Sequence, residues 1–462
     1  MSTTDDLARR MATVCESAVS PLEIASALEF NGISDRAARE SYGADDVFAL
    51  ARELYDRVPR RPAPAPDDDG PAPSRLRPLL HGALYALPAA CFPAARPLLG
   101  GPGVLAALVT ALLTGWGLSG GLAVVGYGRL GAGGPVQAGR VLRAGLACCL
   151  AAGALVMTVT ALAAGSGPPA AAFGTGEIAY MVAAAVLLVT GSERWLLVAL
   201  APAVAGSAAY LILGEPPALT HLVWAALAAT PVLACVLALT LQETRAPRGD
   251  RSHPALGYAG PGLAPSRVEL TAALPALVFG VLAGGLLTLP VISGPAGTGG
   301  LNPGAVTAAV PLALSMGAAE WSLAWYRRTG QRLLRSSGEP GWFAARARRA
   351  AAGALGQYTA VLVALVAVAL GVAVGSGQVT PGWPLFGAAL GYALLGAGMF
   401  AALALQTVLV RAVPLAACAL ALAVEWALRG HGLVTQIAVP AALAAALAGY
   451  LLARAGDTTL HT

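Results

Sequence analysis

Between Arg75 and the C-terminus the chain carries twelve apolar stretches, half of them free of charge. Each is about 20 residues long, the helix length that crosses a hydrocarbon core of about 30 Å. They fall at 78–99, 103–127, 140–164, 175–191, 194–213, 219–241, 270–292, 303–326, 354–375, 383–406, 407–428 and 433–453. Lipid offers no water to peptide groups, so each crossing segment must satisfy its own backbone as a helix. The expectation is an all-α polytopic membrane protein with twelve transmembrane helices. Composition agrees: 11% of residues are charged, against about 25% in soluble domains.

Charge distribution orients the spans. Every positive side chain other than histidine is arginine. With helices numbered in order, the even-to-odd connections and their helix ends carry Arg129, Arg140, Arg143, Arg194, Arg245, Arg248, Arg251, Arg267, Arg327, Arg328, Arg332, Arg335, Arg346, Arg348, Arg349 and Arg411. The odd-to-even connections carry Arg96 and Arg429. Cytoplasmic loops gather basic residues, so both termini are expected in the cytoplasm and the protein in the plasma membrane. The first 75 residues have no apolar core of the kind a signal peptide needs. The six cysteines lack metal-ligand spacing and read as small packing residues.

Residues 1–58 read as a helical cytoplasmic head. Ser20-Pro21-Leu22-Glu23 has the form of a capping box with proline at the first helical position. Gly32 and Gly43 break the helices, and Asp45 to Val58 forms an amphipathic one. Eleven acidic residues against six arginines argue against nucleic acid, whose phosphates need a basic surface. A cytoplasmic protein partner fits better. Residues 59–77, with six prolines and Asp67-Asp68-Asp69, form a linker. A polar connector at 242–269 separates a first membrane lobe (78–241) from a second (270–453), and 454–462 is a cytoplasmic tail.

The two lobes repeat. Ala86-Leu87-Pro88-Ala89-x-x-Phe92 in the first helix matches Ala273-Leu274-Pro275-Ala276-x-x-Phe279 in the seventh. Tyr127-Gly128-Arg129 then ends helix 2, and Tyr326-Arg327-Arg328 ends helix 8. Arginines spaced three apart follow each, Arg140 with Arg143 and Arg346 with Arg349. Both halves start on the same side, so the six-helix repeats are parallel. Pro88 and Pro275 occupy equivalent places, and a proline within a helix permits bending there.

The passage from Gly117 through Tyr127, Arg129, Leu130-Gly131-Ala132-Gly133 and Arg140 to Arg143 resembles a stretch of the MOP flippase superfamily. That stretch is the end of the second helix and the loop after it. The superfamily holds the multidrug and toxic-compound extrusion transporters and the lipid-linked oligosaccharide flippases. Gly134 stands where the family's turn has an acidic residue. The resemblance covers about 30 residues well and, through the repeat, 78–453 loosely. It implies two lobes moving a membrane lipid, lipid-linked glycan or similar amphiphile outward by alternating access, with helices 1, 2, 7 and 8 lining the cleft. Helix 1 here lacks an acidic residue, and helix 7 has none after Glu269, where extrusion transporters commonly couple to ions.

Ionisable residues in a bilayer are costly and mark function by default. Glu320 in helix 8, with Trp321 and Trp325 beside it, and Arg411 in helix 11 are the first candidates for the substrate pathway or coupling. His81, Tyr127 and Tyr326 join them. Glu177, Glu425 and His221 read as interfacial. Gly117, Gly120 and Gly121 allow close helix approach. No HExxH, GxSxG, P-loop or paired-carboxylate signature occurs, so neither catalytic residues, a resident metal nor a cofactor is expected. Two alternatives stay open: a non-transporting membrane scaffold of an envelope-building complex, and a drug or metabolite exporter.

Overall fold

The computed structural model describes residues 3–18, 20–30, 32–59, 80, 84, 87–91, 94, 103–214, 216–240, 265–292, 303–336, 340–377, 379–407, 410–428 and 432–457. Regular structure among these residues is entirely helical.

The head contains α1 (Thr3–Arg10), α2 (Ala12–Ser17), α3 (Pro21–Phe30), α4 (Asp35–Ala37, continued by a π-helical turn Ala38–Tyr42) and α5 (Val47–Arg57). Local chemistry sets their ends. Pro21 opens α3, where its missing N–H costs nothing. Ser34 Oγ accepts the Ala37 N–H, and Asp46 Oδ1 accepts the Ala49 N–H at 2.7 Å. Gly43 turns the chain at φ +68°, a left-handed conformation only glycine takes freely. Cys15, Ile24, Leu28, Leu50 and Leu54 are buried together, so the head has a core of its own. Burial pushes the Cys15 thiol up.

The membrane part contains α6 (Val104–Ala164), α7 (Gly167–Val189), α8 (Arg194–Ile212), α9 (Pro217–Thr240), α10 (Arg267–Ile292), α11 (Pro303–Leu314), α12 (Met316–Ser336), α13 (Pro340–Gly375), α14 (Trp383–Thr407), α15 (Ala412–Ala427) and α16 (Leu433–Arg454). The described residues include 8 helices long and apolar enough to cross a membrane, two of them the arms of α6, and two shorter apolar ones. The protein is a multi-pass membrane protein. α6 folds back on itself: a Cβ at Gly126 would meet Leu142, and one at Gly145 would meet Leu122. In a straight helix those partners would lie about 24 Å or more apart. The reversal centres near Gly134, so the expected turn is there, but helical bonding runs through it.

Several expected edges move. Helix 4 runs from Gly167, not 175, because Pro168 and Pro169 sit in its first turn, where proline is tolerated. The segment 303–326 is broken at Ser315 into α11 and α12. α12 continues well beyond 326, and α13 starts well before 354. Of helix 1, the longest described piece is a 3-10 turn at Leu87–Cys91. Most of the rest of that expected span, His81 included, lies outside the described residues, as do most of the linker and connector.

Two separate clusters of buried side chains hold the membrane part. One runs from Leu84 to Ala238 and contains Leu142, Leu146, Met157 and Val186. The other runs from Phe279 to Ala455 and contains Tyr326, Tyr358, Tyr392 and Phe400. α6 joins them by packing on α10.

Candidate functional site

The contact between α6 and α10 is a seam of backbone. A Cβ on Gly117 would lie 2.9 Å from Val281 and 3.2 Å from the Leu277 carbonyl oxygen, and one on Gly120 would lie 3.2 Å from the Ala276 carbonyl oxygen. Gly121 faces Leu277 and Ala273, and Gly280 returns the fit, with a would-be Cβ 2.5 Å from the Trp116 carbonyl oxygen. Small residues permit that approach, and dispersion over the closed surface stabilises it.

At its arginine-rich end the seam closes on an ion pair. Arg129 of α6 is 1% exposed. Its Nε and Nη2 both donate to the Glu269 carboxylate, the second at 2.8 Å. Glu269 is itself fixed: its Oε2 accepts the Ser266 N–H at 2.7 Å, while its own N–H donates to Ser266 Oγ at 3.2 Å. That reciprocal pair is a capping box that starts α10. The fork-on-carboxylate geometry is the strong form of a charged hydrogen bond.

Alongside the seam a cavity of about 2160 Å³ lies between the two halves, with Gly120 and Gly280 in its wall. Drug-sized ligand pockets measure about 300–1,000 Å³. Its wall is mostly apolar, with Trp116, Phe173, Trp224, Phe279 and Met316 among the lining residues, and its acidic and basic lining groups are Glu177, Glu320, Arg327 and Arg328. Glu177 is one residue the sequence reading misplaced. With α7 starting at Gly167, it sits about 15 Å along the helix, in mid-span rather than at an interface. Its Oε2 is buried without a hydrogen-bond partner. Pro168-Pro169 as a helix start was the signal that could have placed it.

The other sequence candidates scatter. Glu320 and Tyr127 line the cavity, Tyr127 at 56% exposed, as does Pro88 from its 3-10 turn. Tyr326, the repeat counterpart of Tyr127, is instead 2% exposed in the second core. Pro275 lies within α10, turned away from the Ala273, Leu277 and Gly280 face that meets α6. Arg411 is not one turn inside a helix but the residue capping α15, and its Nη1 donates to the Ala272 carbonyl at 3.2 Å. Glu425, read as interfacial, is 3% exposed in the second half with Oε1 lacking a partner. The nearby Tyr392 hydroxyl donates to the Leu287 carbonyl at 2.6 Å. His221 is exposed at the start of α9, edge-on to Trp224. Among the described residues no three His, Cys, Asp or Glu side chains converge as a metal site would require.

No family model matches the chain, and no curated protein does. Among solved structures it is similar to a MOP superfamily transporter from Pyrococcus furiosus, described by a binding pocket of reversed polarity. That match has 12% identity and a TM-score of 0.47, over 82% of this chain and 94% of that one. It is also similar to a MATE protein in a bent conformation, at 13% identity and a TM-score of 0.46 over 84% and 95%. A MATE protein in complex with MaD5 gives 15% and 0.46 over 83% and 96%.

Proposed function

We infer that the chain is a flippase-like membrane transporter, with twelve spans in two parallel six-helix repeats and both termini in the cytoplasm. It moves a lipid-linked saccharide or similar amphiphile outward by alternating access. The observation that carries this reading is the cavity between the halves. A scaffold that only recruits partners gains nothing from leaving about 2160 Å³ unfilled and setting Glu177 and Glu320 along it. The apolar wall suits a substrate with a large hydrophobic part, and the few charged groups suit a headgroup.

In this reading the α6–α10 seam is the axis about which the halves move. Pro88 and Pro275 supply bends on either side of it, and Glu177 and Glu320 are the carboxylates that meet substrate or a coupling cation. Arg411 braces α15 against α10. An exporter of amphiphilic cations is the second reading, favoured by two carboxylates in an aromatic-rich cavity.

The test is translocation in proteoliposomes of a fluorescent lipid-linked glycan and, separately, of a lipophilic cationic dye. Glycan movement that depends on the protein, and falls about tenfold or more in Glu177→Gln and Glu320→Gln, is expected for carboxylates that act in the transport step. Pro88→Ala and Pro275→Ala should lower it without loss of folded protein. Movement of the dye alone favours the exporter, and movement of neither sinks the transport reading.

A further inference from the structure

α12 and α13 run past the expected span ends as an antiparallel hairpin. Leu334 packs with Phe343 and Ala347 near its tip, and a Cβ on Gly353 would sit 3.5 Å from Trp325 at its base. That register brings Arg328 to the height of Arg349. Arg327, Arg346 and Arg349 are exposed, and Arg328 is half-exposed. Trp321, Trp325 and Arg328 share one stripe of α12, and Trp342, Arg346 and Arg349 share one of α13. The Arg346 guanidinium lies 3.9 Å over the Trp342 ring.

Like charges at one height repel, and the hairpin's own sequence does little to offset them. Between Glu320 and Glu425 the chain has a single carboxylate, Glu339. Arg348 turns elsewhere, toward the tail at Gly456 and the Arg454–Asp457 pair. Phosphate is the counter-charge best matched to the place. The hairpin leaves the membrane through the headgroup layer, tryptophan is at home in that layer, and the guanidinium fork fits a phosphate. Trp321, Arg327 and Arg328 also line the cavity, so that layer meets its rim.

We propose that this hairpin binds an anionic phospholipid of the cytoplasmic leaflet, with Arg327, Arg328, Arg346 and Arg349 holding its phosphate at the edge of the cavity. The side of the membrane rests on the orientation inferred above. Binding itself needs no transport, so the two can fail separately.

Native mass spectrometry of the full-length protein, taken from vesicles with equal phosphatidylglycerol and phosphatidylcholine, tests it. Each arginine near an anionic surface contributes roughly fivefold, so retained phosphatidylglycerol should exceed phosphatidylcholine by about tenfold or more. The quadruple variant Arg327→Gln, Arg328→Gln, Arg346→Gln, Arg349→Gln should retain the two lipids equally. The matching four-lysine variant, which keeps the charge, should hold most of the preference and so control for folding. Undiminished preference in the glutamine variant overturns the proposal. So does a preference that emerges only after residues 1–58 are deleted, since the acidic head would then own the hairpin.

Discussion

The seam and the cavity adjoin along the first arm of α6, with Gly120 and Gly280 bordering both, and treat a carboxylate in opposite ways. In the seam, Glu269 accepts two bonds from Arg129 and one from the Ser266 N–H. In the cavity, Glu177 keeps a buried oxygen with no partner at all. The first arrangement uses charge to fix where two helices meet. The second leaves a polar group for something that is not part of the chain. A buried carboxylate is therefore structural or functional according to whether its partners are built in.

Removing one side of the pair should be the most damaging change. Glu269→Gln keeps the capping-box acceptor but leaves the Arg129 charge buried without its carboxylate, and unfolding in detergent should show a loss of about 3–5 kcal/mol, mostly recovered when Arg129→Met is added. A loss below about 1 kcal/mol would erase the contrast with the cavity. Next comes the packing of the seam. Gly280→Ala drives a methyl against the Trp116 carbonyl and should cost about 1–3 kcal/mol, while Gly128→Ala, with open space around it, should cost nothing. Glu177→Gln sharpens the comparison from the other side: stability within about 1 kcal/mol of the parent, with transport impaired. A large destabilisation instead would make Glu177 a packing residue. The smallest effect on the bundle should come from the head. Asp46→Ala removes a cap and should destabilise isolated residues 1–58 by about 1 kcal/mol, read by faster labelling of the buried Cys15 thiol, with the unfolding of the full-length bundle unmoved.

Features written in neighbouring residues were legible in the sequence. The apolar stretches, the amphipathic helix after Asp45 and the glycine break at Gly43 each depend on a few adjacent positions, and the structure follows them. So does the close approach at Gly117, Gly120 and Gly121, though not its partner helix. The Arg129–Glu269 pair was invisible because its members are 140 residues apart. Its local half, the Ser266-x-x-Glu269 box, was readable as a helix start. Glu177 was misplaced because the span was started at 175, whereas the helix begins at Gly167 with Pro168 and Pro169 in its first turn. Tyr127 and Tyr326 match as letters of a repeat yet differ in exposure, since one faces the cavity and the other a core. Pattern gives the element, and depth comes from what packs against it.

The capping box at Glu269 has a kinetic consequence. If the halves part at that end, the carboxylate still holds the Ser266 N–H and the positive end of the α10 dipole. Arg129 loses both of its bonds to Glu269. The activation barrier to opening then depends on how readily water or a lipid phosphate replaces the carboxylate at the guanidinium. Opening should then quicken in vesicles rich in anionic lipid and slow in uncharged detergent, although both environments surround the same apolar helices.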